Sequence, residues 1–271
     1  MTVLKILIPK KHQNLKSEPE GMDFYRSLSM FSLKIVNKGF HYAQDGPGNR
    51  LVYHLYGCNL HCPWCANPET LFENSNTEQV FPEEILRQVI SAKSILIDSG
   101  GVTFTGGEPT LQAGALIETL SLLRDNNIHT AIQTNGTSEE FSVLLPLLSL
   151  LMIDFKHYNN KKHNKVIGIS NINIINNIRF AGDFGLPVWV RIPIIKGFNA
   201  ADDDIAGFLE VCDTFNKNNI SYEFLPYHEY GRSKWEKFGK EYTVSDGSVS
   251  SKVIKRFEDA FTSAGLRVIR T

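Results

Sequence analysis

Short apolar runs alternate with amphipathic stretches along most of this chain. Runs rich in β-branched and aromatic residues at 51–56, 102–105, 129–134, 150–154, 187–193 and 222–225 predict strands. Between and after them, apolar positions recur at the spacing of one helical face in 82–92, 111–125, 138–148, 171–183, 202–216 and 249–264, which predicts helices. Pro82 opens the first of these, where its missing N–H costs no hydrogen bond. A short run at 266–269 closes the pattern. Strand-then-helix order repeated about six times predicts an α/β fold, a parallel sheet with helices outside, rolled into a partial (β/α)6 barrel that does not fully close. Residues 1–30 fit no such unit and read as an N-terminal extension. Residues 31–271 read as one core domain, since 271 residues at 42% hydrophobic content can bury a single large core.

Composition narrows the functional classes. The formal net charge is -1 with no dominant cluster of lysine or arginine, so no nucleic-acid footprint is expected. The longest apolar run, 143–153, contains Pro146 and Ser149 and falls short of the roughly 20 residues that span a membrane. The first 16 residues mix apolar positions with Lys5, Lys10, Lys11 and Lys16 and lack a signal-peptide cleavage pattern. A cytoplasmic, reducing setting is therefore expected, in which clustered thiols serve as metal ligands or catalysts more often than as disulfides.

Three of the four cysteines stand together in Tyr56-Gly-Cys-Asn-Leu-His-Cys-Pro-Trp-Cys65, with the spacing C-x3-C-x2-C. Three thiolates at Cys58, Cys62 and Cys65 can hold a cubic iron–sulfur cluster and leave its fourth iron without a protein ligand. Structural zinc needs four ligands, usually in two close pairs, and only one such pair exists here. Cys212 shares a helical face with Ile205, Phe208, Leu209 and Phe215 and reads as core.

Parallel β/α sheets build their sites at the carboxyl ends of the strands. The predicted strands place Cys58, Gly106-Gly107-Glu108-Pro109, Asn135-Gly136, Asp154 with Lys156, Arg191 and His228 at one rim. Each has an ordinary reading alone: Gly-Gly-Glu-Pro as a turn, Asp154 and Lys156 as a solvated strand end, Arg191 as an ion-pair partner, His228 as a surface histidine. Asp45, within Asp-Gly-Pro-Gly, is a turn former by propensity. Their joint placement favours function.

These residues carry a family resemblance. The chain resembles the radical S-adenosylmethionine (SAM) superfamily, and within it the pyruvate formate-lyase activating enzymes, which install a glycyl radical. The resembling stretches are Asp45-Gly-Pro-Gly-Asn-Arg50, the cysteine motif followed by Asn67-Pro-Glu-Thr70, Gly101-Val-Thr-Phe-Thr-Gly-Gly-Glu-Pro109, Thr134-Asn-Gly136, Ile153-Asp-Phe-Lys156, Val188-Trp-Val-Arg-Ile-Pro193 and Leu225-Pro-Tyr-His-Glu-Tyr-Gly231. They cover residues 32 to about 245 in the family's order.

The resemblance implies that Cys58, Cys62 and Cys65 hold one 4Fe-4S cluster whose open iron is chelated by S-adenosylmethionine. Gly106, Gly107 and Glu108 then hold the methionine amino group. Asn135 joins the cofactor-binding set, Asp154, Lys156 and Arg191 contact polar parts of the cofactor, and His228 its adenosine end. Reductive cleavage gives methionine and a 5′-deoxyadenosyl radical, which in these anaerobic enzymes takes hydrogen from a glycine Cα of a partner glycyl-radical enzyme. Asp45 lies in the segment that faces the partner, a flavodoxin or ferredoxin supplies the electron, and the family suggests a monomer. Gln133 stands where activating enzymes commonly carry an aspartate that helps Asp154 bind a monovalent cation, and its neutrality argues against that cation here. Ala66 replaces a usual histidine. No extra cysteines separate Cys65 from Gly106, which implies a single cluster. The competing readings are a radical enzyme of the same scaffold acting on a small molecule or peptide, similar to 7-carboxy-7-deazaguanine synthase, and a non-enzymatic iron–sulfur carrier or zinc module.

Overall fold

In the computed structural model, which describes residues 31–73 and 76–271, the alternation becomes one nine-stranded sheet flanked by helices. The expected extension over residues 1–30 lies outside the described residues. In chain order the elements are β1 (Leu33–Tyr42), β2 (Asn49–Leu55), β3 (Glu78–Val80), α1 (Pro82–Ser91), β4 (Gly101–Gly106), α2 (Ala113–Asp125), β5 (Thr130–Thr134), α3 (Phe141–Leu144), β6 (Leu150–Asp154), α4 (Asn160–Ile167), α5 (Ile172–Phe184), β7 (Val188–Ile194), α6 (Asp202–Cys212), β8 (Ile220–Pro226), α7 (Arg232–Lys237), α8 (Ser251–Ser263) and β9 (Arg267–Val268). The spatial order is β3-β1-β2-β4-β5-β6-β7-β8-β9. From β2 onward every neighbouring pair is parallel, as helical crossovers require, whereas β1 pairs antiparallel with both β2 and β3.

Period-two alternation splits these strands into two faces. Val102, Phe104, Ile132, Leu151, Ile153, Val190 and Phe224 point outward into the main core with helical residues such as Leu120, Ile178, Phe208 and Phe257. Ala131, Leu150 and Met152 form a second, small apolar cluster on the opposite face, with Trp189 packed against it. That face is concave. Arg191 on β7 reaches Gln133 on β5 and the Gln44 carbonyl in the β1–β2 turn, contacts that a flat sheet would not allow.

Several elements differ from expectation for identifiable reasons. The helix expected over 138–148 is only the four-residue α3, because Pro146 forces a 3-10 turn at Leu145–Leu147. Strands β1, which precedes the first β/α unit, and β3, which lies between β2 and α1, were not anticipated. Helix α4 is too polar to show an apolar stripe and starts on a cap, the Asn159 side chain accepting from the Lys162 N–H at 3.1 Å. Among the described residues, no helix is long and apolar enough to cross a membrane.

Candidate functional site

Strand β2 ends at Leu55, and the chain leaves it into a loop, 57–70, that closes on itself. The Gly57 N–H donates to the Thr70 carbonyl at 2.8 Å, the Thr70 N–H to the Asn67 carbonyl at 3.0 Å, and the Cys65 N–H to the Cys62 carbonyl at 3.0 Å. Neighbouring strand ends pin this loop. The Glu108 N–H donates to the Gly57 carbonyl at 2.7 Å, and a Cβ on Gly107 would lie 1.9 Å from that same oxygen, so only glycine permits the approach. From the end of β5, the Asn135 amide donates to Asn59 Oδ1 at 2.7 Å, while Asn59 donates to Thr137 at 2.8 Å. Beyond β7, Phe198 packs against Trp64 with ring centroids 5.0 Å apart.

The loop carries three free, half-buried thiols, Cys58, Cys62 and Cys65; Cys212 lies fully buried in the outer core, as expected. Burial pushes the Cys62 thiol up to about 11 and the Cys65 thiol up to about 12, each raised further by neighbouring thiols, and Cys58 shifts the same way. Three sulfurs in such surroundings become thiolates together only when positive charge joins them. Among the described residues, no three His, Cys, Asp or Glu side chains converge on the position of a single metal ion. Three thiols on one loop are one short of the four ligands that close a structural zinc site and match three-thiolate ligation of a multi-iron cluster.

Asp154 and Lys156 stand beside the loop. Asp154 ends β6 and pairs with the Lys156 ammonium at 2.5 Å, in a site where Lys156 is nearly inaccessible. Burial alone would lower the lysine pKa, but Asp154 and the Cys62 and Cys58 sulfurs outweigh it and hold the ammonium above its usual range. Asn199, fully buried, fixes this turn by donating to the Lys156 carbonyl at 2.8 Å.

Glu108 is placed differently from what its sequence context suggested. Its carboxylate is buried and accepts from the Thr110 N–H at 3.0 Å, the Thr110 hydroxyl at 2.7 Å, the Thr134 hydroxyl at 2.7 Å and the Asn135 N–H at 2.6 Å. Burial raises its pKa while these bonds oppose the rise. In this conformation Glu108 braces the ends of β4 and β5 against each other.

Arg191 is not at the rim, because β7 continues past it to Ile194. It lies opposite Asp154 in register, buried, and donates to Glu223 at 2.8 Å and Gln133 at 2.9 Å as well as to the Gln44 carbonyl. Thus Gln133 is engaged by Arg191, and Asp154 by Lys156. His228 follows β8 and is exposed, its ring stacked on Tyr230 at 4.2 Å. Asp45 belongs to the β1–β2 turn, at the amino end of β2 and thus away from the cysteine loop. Its carboxylate meets the His41 ring at 2.6 Å and its backbone carbonyl accepts from Thr103 at 2.6 Å.

Sequence reasoning missed Asn59, Asn199, Gly231, Lys234 and Trp235. Asn59 stood inside the cysteine motif without a role of its own, and Asn199 had no signal beyond its residue type. Gly231 closes the Leu-Pro-Tyr-His-Glu-Tyr-Gly stretch, and the aromatic Trp235 soon after it was the available hint.

The geometry agrees with comparisons to known proteins. A family model, the radical SAM superfamily, matches residues 52–209. A pyruvate formate-lyase-activating enzyme from Streptococcus mutans is 33% identical over 209 residues, covering 74% of this chain and 79% of that protein. Among solved structures, a domain of a pyruvate-formate lyase-activating enzyme from Bacteroides vulgatus superimposes with a TM-score of 0.53 at 27% identity, covering 63% of this chain and 98% of that one. A radical SAM methyltransferase from Sphaerobacter thermophilus shares the fold, with a TM-score of 0.61 at 16% identity over 88% of this chain and 72% of that one.

Proposed function

Because this chain belongs to the radical SAM superfamily and, within it, to the pyruvate formate-lyase-activating enzymes, we propose that it takes hydrogen from a glycine Cα of a partner glycyl-radical enzyme. The observation that carries the reading is the closed loop 57–70, which brings three free thiols to the strand ends where Asp154 and Lys156 stand. Cys58, Cys62 and Cys65 hold one 4Fe-4S cluster, and S-adenosylmethionine binds beside it. When bound, these would supply the one-electron chemistry for hydrogen abstraction.

The protein's own contribution is positioning and charge. Lys156, kept charged by Asp154, places a buried cation beside the sulfurs and offers a partner for a carboxylate. Gly106 and Gly107 let the backbone approach the ligand, with Glu108 holding the turn rigid from behind. Asn135 steadies the loop beside Cys58. Arg191 acts from within the barrel, ordering Gln133 on β5 and Glu223 on β8 to either side of it. The stacked pair His228 and Tyr230 would offer an aromatic face to the cofactor's adenosine end. A glycine substrate suits such a site, since no side chain blocks approach and the flanking amides stabilise the resulting radical. Asp45 and the β1–β2 turn face the partner, the electron comes from a flavodoxin or ferredoxin, and residues 31–271 form the catalytic unit in a reducing cytoplasm. Gln133 leaves no carboxylate pair for a monovalent cation.

The test is anaerobic reconstitution with iron and sulfide, reduction, and addition of S-adenosylmethionine with and without a glycyl-radical enzyme. The expected result is 5′-deoxyadenosine together with a glycyl-radical doublet in electron paramagnetic resonance on the partner. Cofactor cleavage coupled to a small molecule or peptide, with no radical on any partner, would replace this reading by the alternative substrate class. Stoichiometric zinc with refusal of iron would end the radical mechanism.

A further inference from the structure

The cysteine loop is held from one more side, by a segment that the chemistry above does not use. After β8 the chain runs through Tyr230 and Gly231 into the short helix α7 and lies directly on the loop. A Cβ on Gly231 would sit 2.1 Å from the Cys65 carbonyl oxygen and 3.0 Å from the Ala66 Cα. One turn later the Trp235 indole N–H donates to that same Cys65 carbonyl at 3.0 Å. Lys234 places its ammonium 2.7 Å from Glu69 Oε1 and 3.2 Å from Asn67 Oδ1. Phe72, just past the loop, is enclosed by Trp235 at 5.7 Å and Phe238 at 5.0 Å between ring centroids. Behind the indole stands Tyr242, at 6.3 Å, whose hydroxyl lies 2.9 Å from that of Tyr227, the residue before His228.

We propose that residues 231–240 form a clasp in which Gly231, Lys234 and Trp235 are positioning residues for the cysteine loop. The inference rests on the reading of Cys58, Cys62 and Cys65 as cluster ligands. It goes beyond that reading because it assigns residues that touch neither the thiols nor the cofactor.

The physical reasoning is direct. The loop's internal bonds close its base and the Cys62–Cys65 turn, and its other ties come from the β4, β5 and β7 ends, which leaves the Cys65 carbonyl and Ala66 to the clasp. A donor aimed at the Cys65 carbonyl fixes the peptide plane that carries this cysteine, and a fixed backbone lowers the entropy lost when three sulfurs engage one cluster. The same segment begins beside His228 and Tyr230. One element thereby registers the adenosine end of the site against the cluster end.

The decisive variant is Trp235→Phe, which keeps an aromatic ring between Phe72 and Tyr242 while removing the N–H donor along with part of the indole. Two readouts are compared with wild type: iron release from the reconstituted protein to a chelator under anaerobic conditions, and labelling of the three thiols in the iron-free protein by a maleimide. Both rates should rise about five- to tenfold, near the equilibrium worth of one hydrogen bond, while the melting temperature barely moves. Lys234→Met should act in the same direction, and Gly231→Ala more strongly, because its methyl displaces the segment outright. Wild-type rates of labelling and iron release in both Trp235→Phe and Lys234→Met would overturn the clasp. The labelling arm needs no cluster. It therefore decides the clasp even if the protein takes up no iron, whereas unchanged labelling in an enzyme that cleaves S-adenosylmethionine rejects the clasp alone.

Discussion

The sheet has two faces, and different forces hold them. On the outer face Phe224 packs on Phe257 and Phe261 with ring centroids 5.5 and 4.8 Å apart, and Tyr222 packs on Phe261 at 5.1 Å. Such contacts are non-directional, and stability there follows buried area and packing density. On the inner face Arg50, Gln133, Asp154, Arg191 and Glu223 outnumber the apolar cluster of Ala131, Leu150 and Met152. There each polar group depends on a particular partner. Arg50, fully buried, donates to Thr103 at 2.7 Å and the Val102 carbonyl at 2.7 Å, and desolvation pushes its pKa down to about 10. A substitution outside therefore costs stability and leaves chemistry alone, while one inside costs both.

The sharpest way to break this comparison is at the cysteines. Cys58→Ala, Cys62→Ala and Cys65→Ala should each abolish the cluster spectrum and all cleavage of S-adenosylmethionine. Cys212→Ala, on the outer face, should leave both intact and lower stability by only about 1 kcal/mol, the scale of a small core truncation. Loss of the cluster in Cys212→Ala would show that the two faces are not separable.

Next in size is a matched pair. Phe257→Ala should cost about 3–5 kcal/mol of folding free energy, with cofactor cleavage per folded molecule unchanged. Arg191→Met leaves Glu223 buried without its guanidinium partner, which also costs about 3–5 kcal/mol. The double variant Arg191→Met with Glu223→Met should recover most of that stability without recovering cofactor cleavage. Urea melts beside a 5′-deoxyadenosine assay measure both terms. Recovery of activity in the double variant would mean that Arg191 serves the fold only.

A smaller effect is pH-dependent stability. Burial pushes His129 down to about 4, with the nearby Arg50 charge pushing the same way, and burial pushes His157 down to about 4 against the opposing pull of Asp204. The unfolded chain gains protons on these rings below about pH 6.5, and the folded chain does so only near pH 4. Between those limits the unfolded state binds more protons, so stability should fall as pH drops from 6.5 to 4 and level off below. His129→Gln should flatten that slope, and the residual slope belongs to His157 together with His54, His163 and His228, which burial shifts in the same direction.

The two faces also differ in how much of each was legible in the sequence. Outer positions such as Val102, Phe104, Ile178 and Phe257 announce themselves by period, because area burial needs only repeated apolar residues at the right spacing. Inner positions carry no period signal. Arg191 and Asp154 surfaced through their motifs, and their register neighbours then put Gln133 and Glu223 within reach, but nothing local told that Arg191 bonds to a turn carbonyl at Gln44. The same holds for Glu108. Its motif suggested a ligand contact, and only the fold brings Thr134 and the Asn135 N–H to its carboxylate. Trp235 was least legible, since a hydrogen bond to Cys65 spans 170 positions of sequence.

The smallest predicted effect tests whether the inner face also reaches the partner. The Asp45 backbone carbonyl, not its carboxylate, accepts from Thr103, so Asp45→Ala keeps the tie between the β1–β2 turn and β4. What it removes is the 2.6 Å contact with the His41 ring and the negative charge beside it. If the turn faces the partner, uncoupled cleavage of S-adenosylmethionine should remain at the wild-type rate. Radical yield on the partner should then need about tenfold more partner for half-saturation, equivalent to about 1.4 kcal/mol of docking free energy. Titrating the glycyl-radical signal against partner concentration reads this directly. Equal loss of cleavage and transfer would instead move Asp45 into the cofactor site, and would make the polar interior one continuous unit from the turn to the cysteine loop.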